Sequence, residues 1–179
     1  MITLTLPDGS TRDLEAPVTG AEFAASISKS LAKKALALKL DGVVVDLATQ
    51  IDRDCELAVI TADDEEGVAL MRHGCAHVMA EAVQELFPGT QVTIGPVIEN
   101  GFFYDFARET PFSLDDLETI EKRMREIVER NHRIIREVWD RGYAAEHFRS
   151  IGEFFKAEII ETIPTDEAIT IYKQGDWMD

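Results

Sequence analysis

Cysteine is nearly absent from this chain. Cys55 and Cys75 are the only two in 179 residues, too few for a disulfide framework, so a reducing compartment is expected and the cytoplasm is the expected location. Long apolar runs are missing too. No stretch approaches the ~18 consecutive apolar residues of a membrane-spanning helix, so no membrane is expected as a partner. Met1-Ile2-Thr3-Leu4 does not open a charged-then-apolar secretory leader. Basic residues are outnumbered, 18 Lys and Arg against 34 Asp and Glu, for a formal charge of −16. That excludes a generally basic nucleic-acid coat while leaving room for one local basic face. There is no Gly-rich phosphate loop, no internal repeat and no low-complexity segment.

What is present suits a folded protein: 45% hydrophobic and 29% charged residues argue against a disordered tail. The length predicts one domain or two small ones, at ~100–200 residues per domain. Charge is unevenly spread, −3 over residues 1–62, −10 over 63–120, +2 over 121–150 and −5 over 151–179. The run Asp63-Asp64-Glu65-Glu66-Gly67 separates two patterned regions, so residues 62–67 read as an acidic inter-domain linker.

Residues 1–61 read as a small α/β unit. Ile2, Leu4 and Leu6 alternate with threonines as in a half-buried strand, and Pro7-Asp8-Gly9 turns into a second strand through Leu14. Thr19-Gly20-Ala21-Glu22 fits a capping box before a helix lined by Phe23, Ile27 and Leu31. Leu36–Leu40, Asp41-Gly42 and Val43–Leu47 predict a hairpin, and Cys55–Thr61 a closing strand. This order in about 60 residues suggests a ubiquitin-like β-grasp module.

In residues 68–179, the spacing predicts a helix over 68–87, with Met71, Cys75, Val78, Met79, Ala82 and Leu86 on its buried stripe. Val92–Ile98 and Phe102–Phe106 read as hairpin strands around Glu99-Asn100-Gly101. A long helix is predicted from Leu114 to Trp139, capped by Ser113 and Asp116 and buried through Leu117, Ile120, Met124, Ile127, Ile134 and Val138. Short helices near Glu146–Phe148 and Glu153–Ile160 follow, then strands at Ala168–Lys173 and Asp176–Asp179. Since the last strand is cut at its final residue, the chain reads as part of a longer protein. The fold class expected is α+β, a β-grasp domain followed by an α+β domain of long helices on an antiparallel sheet.

The sharpest chemical feature is His73-Gly74-Cys75-Ala76-His77. Residues i and i+4 share a helical face, so both imidazoles project together and could hold a metal or position a water; surface or core-edge histidines are the plain structural alternative. Gly74 stands where an H-E-x-x-H protease would have its general base. Cys75 falls on the apolar stripe and reads as a packed core thiol, whereas His132 and His147, among charged residues, read as exposed. In Ile94–Asp105 the glycines permit close backbone approach, and Tyr104 offers a ring and a hydroxyl. Lys122, Arg123, Arg125, Arg130, Arg133, Arg136 and Arg141 form the basic-rich region, but interleaved glutamates favour a solvated helix over phosphate contact. Lys156 is either a substrate-facing ammonium or a snorkelling surface lysine, the surface being favoured by sequence alone.

Arg72-His73-Gly74-Cys75-Ala76-His77, Ile94–Asp105, and Glu121–Arg125 leading into Arg130-Asn131 together resemble the N-terminal region of the bacterial threonyl-tRNA synthetase family, which commonly has Ser at position 74. The resemblance covers essentially the whole chain. It implies a TGS-like domain at 1–61 and, at 68–179, an editing (seryl-tRNA deacylase) domain whose Cys-x-x-x-His motif falls just beyond Asp179. It implies catalytic roles for His73, His77, Lys156 and Asp179, and substrate lining by Tyr104 and Tyr172. Similar domains in alanyl-tRNA editing proteins use a four-ligand set for zinc; with a Cys and a His outside this chain, no metal or other cofactor is expected within it. ATP and a catalytic-domain metal would belong only to the full-length enzyme, which joins threonine to its tRNA. The implied partners are the 3′ end of tRNA(Thr) carrying serine and the rest of the synthetase, in a homodimer when full-length and a monomer as this piece. Two other readings are a free-standing trans-editing aminoacyl-tRNA hydrolase and a non-enzymatic RNA-binding or regulatory β-grasp module.

Overall fold

The threonine alternation at the start of the chain builds a strand with one buried face. In the computed structural model, which describes residues 1–15 and 17–179, β1 (Ile2–Thr5) buries Ile2 and Leu4. The chain divides into two compact units, Met1–Met71 and Arg72–Asp179. In the first, β2 (Thr11–Leu14), β3 (Val18–Thr19), α1 (Gly20–Ile27), α2 (Lys29–Lys34), β4 (Ala35–Leu40), β5 (Val43–Val45), β6 (Gln50–Ile51) and β7 (Cys55–Thr61) follow in order. Five strands form one sheet in the order β2-β1-β7-β4-β5. β1 and β7 are parallel and the remaining pairs antiparallel, which is the β-grasp arrangement. Phe23 from α1, wholly buried, packs with Leu4, Leu38, Ile51 and Leu57 to close the core.

Two short-range devices act as expected. Thr19 and Glu22 make a reciprocal capping box at α1. Asp41 and Gly42 both take positive φ, 47° and 84°, the backbone of the tight turn that suits the twist between β4 and β5. The acidic stretch, by contrast, is not a loop throughout. Helix α3 (Glu65–Leu86) begins inside it, with Glu65 and Glu66 in the first turn, where carboxylates oppose the positive end of the helix dipole. Asp64 accepts hydrogen bonds from the Thr61 backbone N–H at 2.7 Å and the Thr61 hydroxyl at 2.9 Å.

The second unit continues with β8 (Gln91–Val92), β9 (Val97–Ile98), β10 (Gly101–Phe102), β11 (Phe106–Ala107), α4 (Leu114–Arg130), β12 (Ile134–Trp139), α5 (Arg141–Ser150), α6 (Phe154–Thr162), β13 (Ile169–Gln174) and β14 (Trp177–Met178). β12, β13 and β14 form an antiparallel sheet. Phe148 and Ala144 of α5 and Ala157 and Ile160 of α6 pack with Ile169 and Ile171 of β13. A second core joins Ala82 and Val83 of α3 to Ile120 and Ile127 of α4. No helix among the described residues is long and apolar enough to cross a membrane.

The structure corrects several expectations. The helix predicted over Leu114–Trp139 stops at Arg130, because Asn131 turns into the left-handed region at φ 51°, a common way for a helix to end. Ile134 and Val138 then lie on a strand and are exposed. A spacing of four puts two side chains on one face of either a helix or a strand, so the pattern does not distinguish them. Of the stripe predicted on α3, Ala82 is buried and Val78, Met79 and Leu86 pack against the same core, whereas Met71 and Cys75 are exposed; Ala76, Ala80 and Val83 are buried beside them. The two predicted hairpin strands are four short ones, since Pro96 has no N–H to donate and the ladder breaks there. His147 is not an exposed histidine. It packs against Trp139 at 5.2 Å and Phe148 at 5.5 Å, with Nε2 buried and unpaired among the described residues.

Candidate active site

One helical turn of α3 brings the two imidazoles together, with ring centroids 4.3 Å apart and planes inclined by 59°. His73 is exposed and His77 partly buried. The chain end adds a carboxylate. Beyond β14, Asp179 continues the pairing with β13: Tyr172 N–H donates to its carbonyl at 2.7 Å, and its own N–H donates to the Tyr172 carbonyl at 2.9 Å. This fixes the Asp179 side chain beside His77, whose Nε2 lies 3.3 Å from Oδ2. The Tyr172 ring stands 6.3 Å from the His77 ring.

Lys156 completes the cluster from α6. It is 7% exposed, which corrects the surface reading, and its ammonium sits 2.5 Å from Asp179 Oδ1. The faces of Phe148 and Trp177, 5.1 and 5.6 Å from Nζ, provide further compensation for a desolvated cation. Helix α6 is held at both ends. Gln91 Oε1 accepts from the Phe154 N–H at 3.0 Å, and the Arg141 guanidinium donates to the carbonyls of Ile160 at 2.6 Å and Ile163 at 2.7 Å.

Tyr104 donates its hydroxyl proton toward Asp179 Oδ2 at 3.4 Å and stacks on Phe106 at 4.9 Å. Gly95 makes room for its ring: a Cβ at that position would lie 2.2 Å from Tyr104 Cδ2. Gly95→Ala therefore forces a rigid, packed ring to tilt away, at a cost of about 1–3 kcal/mol for overpacking. Equilibrium denaturation of the variant measures this, and an unchanged midpoint would show that the hairpin yields without strain.

The electrostatics follow from this geometry. Burial alone would raise the Asp179 carboxyl, but the charges of Lys156 and His77 and the bonds from Lys156 and Tyr104 outweigh it and hold the group below its ordinary range. Burial pushes the His77 imidazole down; Asp179 opposes this, while His73 and Lys156 add to it. Tyr104 is raised by burial and then by the Asp179 charge, so its phenol keeps its proton. At neutral pH the cluster is a buried ion pair flanked by a neutral imidazole and a phenol. Among the described residues, no group of three His, Cys, Asp or Glu side chains is placed to hold a metal ion. His73 and His77 supply two imidazoles, fewer than the three or four protein ligands that hold zinc, so the described residues do not by themselves fit a zinc ion.

Behind the cluster, Trp177 lies 5.8 Å from the His77 ring and donates its indole N–H to Gln84 Oε1 at 2.8 Å. Trp177 and Gln84 also line a cleft of about 350 Å³ with Glu81, Arg130, His132 and Gln174. His73 and His77 are not part of that cleft. Arg130 joins α4 to α3 through Glu85, at 2.5 and 2.9 Å, and Glu81, at 3.4 Å. These bonds, with one from Arg123, bring the Glu85 carboxyl down to about 2. Part of the basic-rich region thus binds the neighbouring helix while staying in contact with solvent.

All six residues singled out by sequence and resemblance, His73, His77, Tyr104, Lys156, Tyr172 and Asp179, lie in this one neighbourhood. Sequence reasoning does not pick out Gly95, Gln84, Glu153 or Trp177 as site residues. The Gly95-Pro96 bend is the one local signal, while the other three are linked across long sequence separations.

Comparison with known proteins adds to this. Residues 2–61 match the TGS domain family. Over its whole length the chain is 63% identical to the threonine--tRNA ligase of Parvibaculum lavamentivorans, covering 28% of that protein. It is 59% identical, again over its whole length, to that of Thiobacillus denitrificans, covering 28%, and 55% identical to that of Rhodospirillum rubrum, also covering 28%. The chain thus spans little more than a quarter of the curated relatives it matches. It is an α+β protein with a TGS domain at residues 2–61, similar from end to end to the N-terminal part of bacterial threonyl-tRNA synthetases.

Proposed function

We propose that the second unit is a hydrolytic proofreading site, cleaving the ester of serine wrongly joined to tRNA(Thr). The observation that carries this reading is the cluster itself: a solvent-facing imidazole, His73, beside a neutral one, His77, backed by the buried Lys156–Asp179 pair. In this reaction His73 takes a proton from a water as its oxygen attacks the ester carbonyl. The bond between the carbonyl carbon and the ribose oxygen breaks, and the proton passes to that oxygen, which leaves as the ribose hydroxyl. His77 orients the water and His73. Lys156 offers charge to the developing oxyanion, and Asp179 holds the seryl ammonium or a water. Tyr104 and Tyr172 line the aminoacyl end.

The need for such a site follows from chemistry. Threonine exceeds serine by one methyl, worth only about 1–3 kcal/mol, or 10–200-fold, in a single binding step. The similarity to longer threonine--tRNA ligases supports a role as their N-terminal proofreading part over a free-standing hydrolase. In that setting the partners are tRNA(Thr) and the remainder of the synthetase, a cytoplasmic homodimer that joins threonine to tRNA with ATP and a catalytic-domain metal. A charge of −16 leaves this piece a weak RNA binder by itself, since phosphate neutralisation dominates such affinity.

The test compares esters and pH in the synthetase of full length. Seryl-tRNA(Thr) is expected to be hydrolysed about 10–200-fold faster than threonyl-tRNA(Thr), the extra methyl meeting the pocket wall. Burial keeps His77 neutral below the usual imidazole value of about 6.5. Its contribution therefore persists to lower pH than an ordinary histidine's and is lost as pH falls through its depressed pKa; His77→Asn removes that part of the acid limb. Equal hydrolysis of both esters would defeat the proposal.

A further inference from the structure

Gln84 faces three other segments of the second unit with one amide. Its Oε1 accepts from Trp177 Nε1 at 2.8 Å. Its Nε2 donates to the Thr90 carbonyl at 3.3 Å and to Glu153 Oε1, while Glu153 Oε2 accepts from the Val92 N–H at 3.2 Å. An indole nitrogen only donates, and a carbonyl or carboxylate only accepts, so a single orientation of the amide satisfies all partners. Two of these partners, Trp177 and Glu153, lead to the catalytic cluster. Trp177 stands against His77 and Lys156 and precedes Asp179 by two residues. Glu153 immediately precedes α6, which carries Lys156, and Gln84 itself shares α3 with both histidines. One side chain therefore ties together the helix of the imidazoles, the helix of the ammonium and the strand end of the carboxylate.

We propose that Gln84 is a positioning residue for the hydrolysis, acting through Trp177 and Glu153 to keep His77, Lys156 and Asp179 in catalytic register; this rests on the hydrolytic reading above. The bonds of Gln84 all go to protein groups. Its effect is on alignment, so it is read in kcat rather than in KM, because a small misplacement of reacting groups slows a step without abolishing binding.

Exchanging donor and acceptor provides the test. Gln84→Glu keeps an acceptor for Trp177 but sets two carboxylates against each other beside the Thr90 carbonyl. Adding Glu153→Gln restores a donor–acceptor pair between positions 84 and 153 and retains an acceptor for the Val92 N–H. In the full-length synthetase, Q84E is expected to lower kcat for seryl-tRNA hydrolysis about tenfold or more with KM within about twofold. Q84E/E153Q should recover to within about threefold of the parent enzyme. In the 179-residue chain, the two indole N–H resonances report the geometry. That of Trp177 moves in Q84E and returns in the double variant, while that of Trp139, bonded to Glu137 at 2.7 Å, stays in place.

A double variant no faster than Q84E overturns the proposal, as does a fall in kcat with the Trp177 resonance unmoved. Equal movement of both indoles would also overturn it by showing general loosening. Absence of seryl-tRNA hydrolysis in the parent enzyme defeats the hydrolytic reading and the catalytic half of this inference. The indole measurements then still decide whether Gln84 sets the place of Trp177.

Discussion

Replacing His73 with alanine lowers seryl-tRNA hydrolysis by the full-length enzyme about 10²–10⁴-fold, the usual contribution of a positioned general base. Because His73 is exposed, the substitution leaves the unfolding free energy within about 0.5 kcal/mol. This separates its chemical role from a structural one. Free imidazole added to His73→Ala should restore part of the rate, since the alanine leaves an opening on the solvent side of His77 for an exogenous base. Deacylation of purified seryl-tRNA(Thr) measures both effects. A rate unchanged by the substitution removes His73 from the mechanism, and a lost rate accompanied by lost folding removes the general-base explanation.

Replacing Lys156 with methionine costs about 3–5 kcal/mol of stability at neutral pH, the range for stranding one member of a buried ion pair. Methionine preserves much of the packing against Phe148 and Trp177, so the penalty falls mainly on Asp179. That carboxylate is mostly buried, with 18% of its side-chain surface exposed. In the unaltered protein its folded pKa is depressed, so its stabilising contribution is present above the usual carboxylate value and is lost as pH falls through the folded pKa. Without Lys156, the burial that opposes ionisation prevails and the folded pKa rises. The variant's deficit is then largest near neutrality and shrinks as acid protonates Asp179. Adding Asp179→Asn to Lys156→Met should recover most of the loss, because an amide does not carry the unpaired charge. Urea denaturation at pH 7 and pH 4 supplies the comparison. A deficit independent of pH, or a double variant no more stable than Lys156→Met, would show that the ion pair is not the cause.

The two imidazoles are legible in the sequence because their relationship is local. A spacing of four residues on a helix suffices to bring them together, whatever surrounds the helix. Lys156 shows the opposite case. Its neighbours Phe154 and Phe155 suggest a snorkelling side chain, yet both are exposed while the lysine turns inward. Nothing adjacent in sequence announces Asp179, 23 positions away, as its partner; its role comes from the family resemblance and not from the pattern around it. Cys75 departs from expectation because a hydrophobic stripe shows which residues can be buried, whereas neighbouring elements decide which of them are.

Local sequence is enough to specify the devices that close within a few residues. These are the capping boxes at Thr19 and Ser113, the Asp41-Gly42 turn, the i,i+4 histidine pair and the alternation that makes β1. Short loops carry little closure entropy, so local hydrogen bonds and steric preferences can specify them. Long-range packing is what makes α4 yield to a strand after Asn131, buries Lys156, and brings Gln84 to Glu153 and Trp177 across separations of 69 and 93 residues. Such contacts exist because packing the cores brings distant polar groups into a common interior. There, a donor or acceptor withdrawn from water is costly unless it finds a partner.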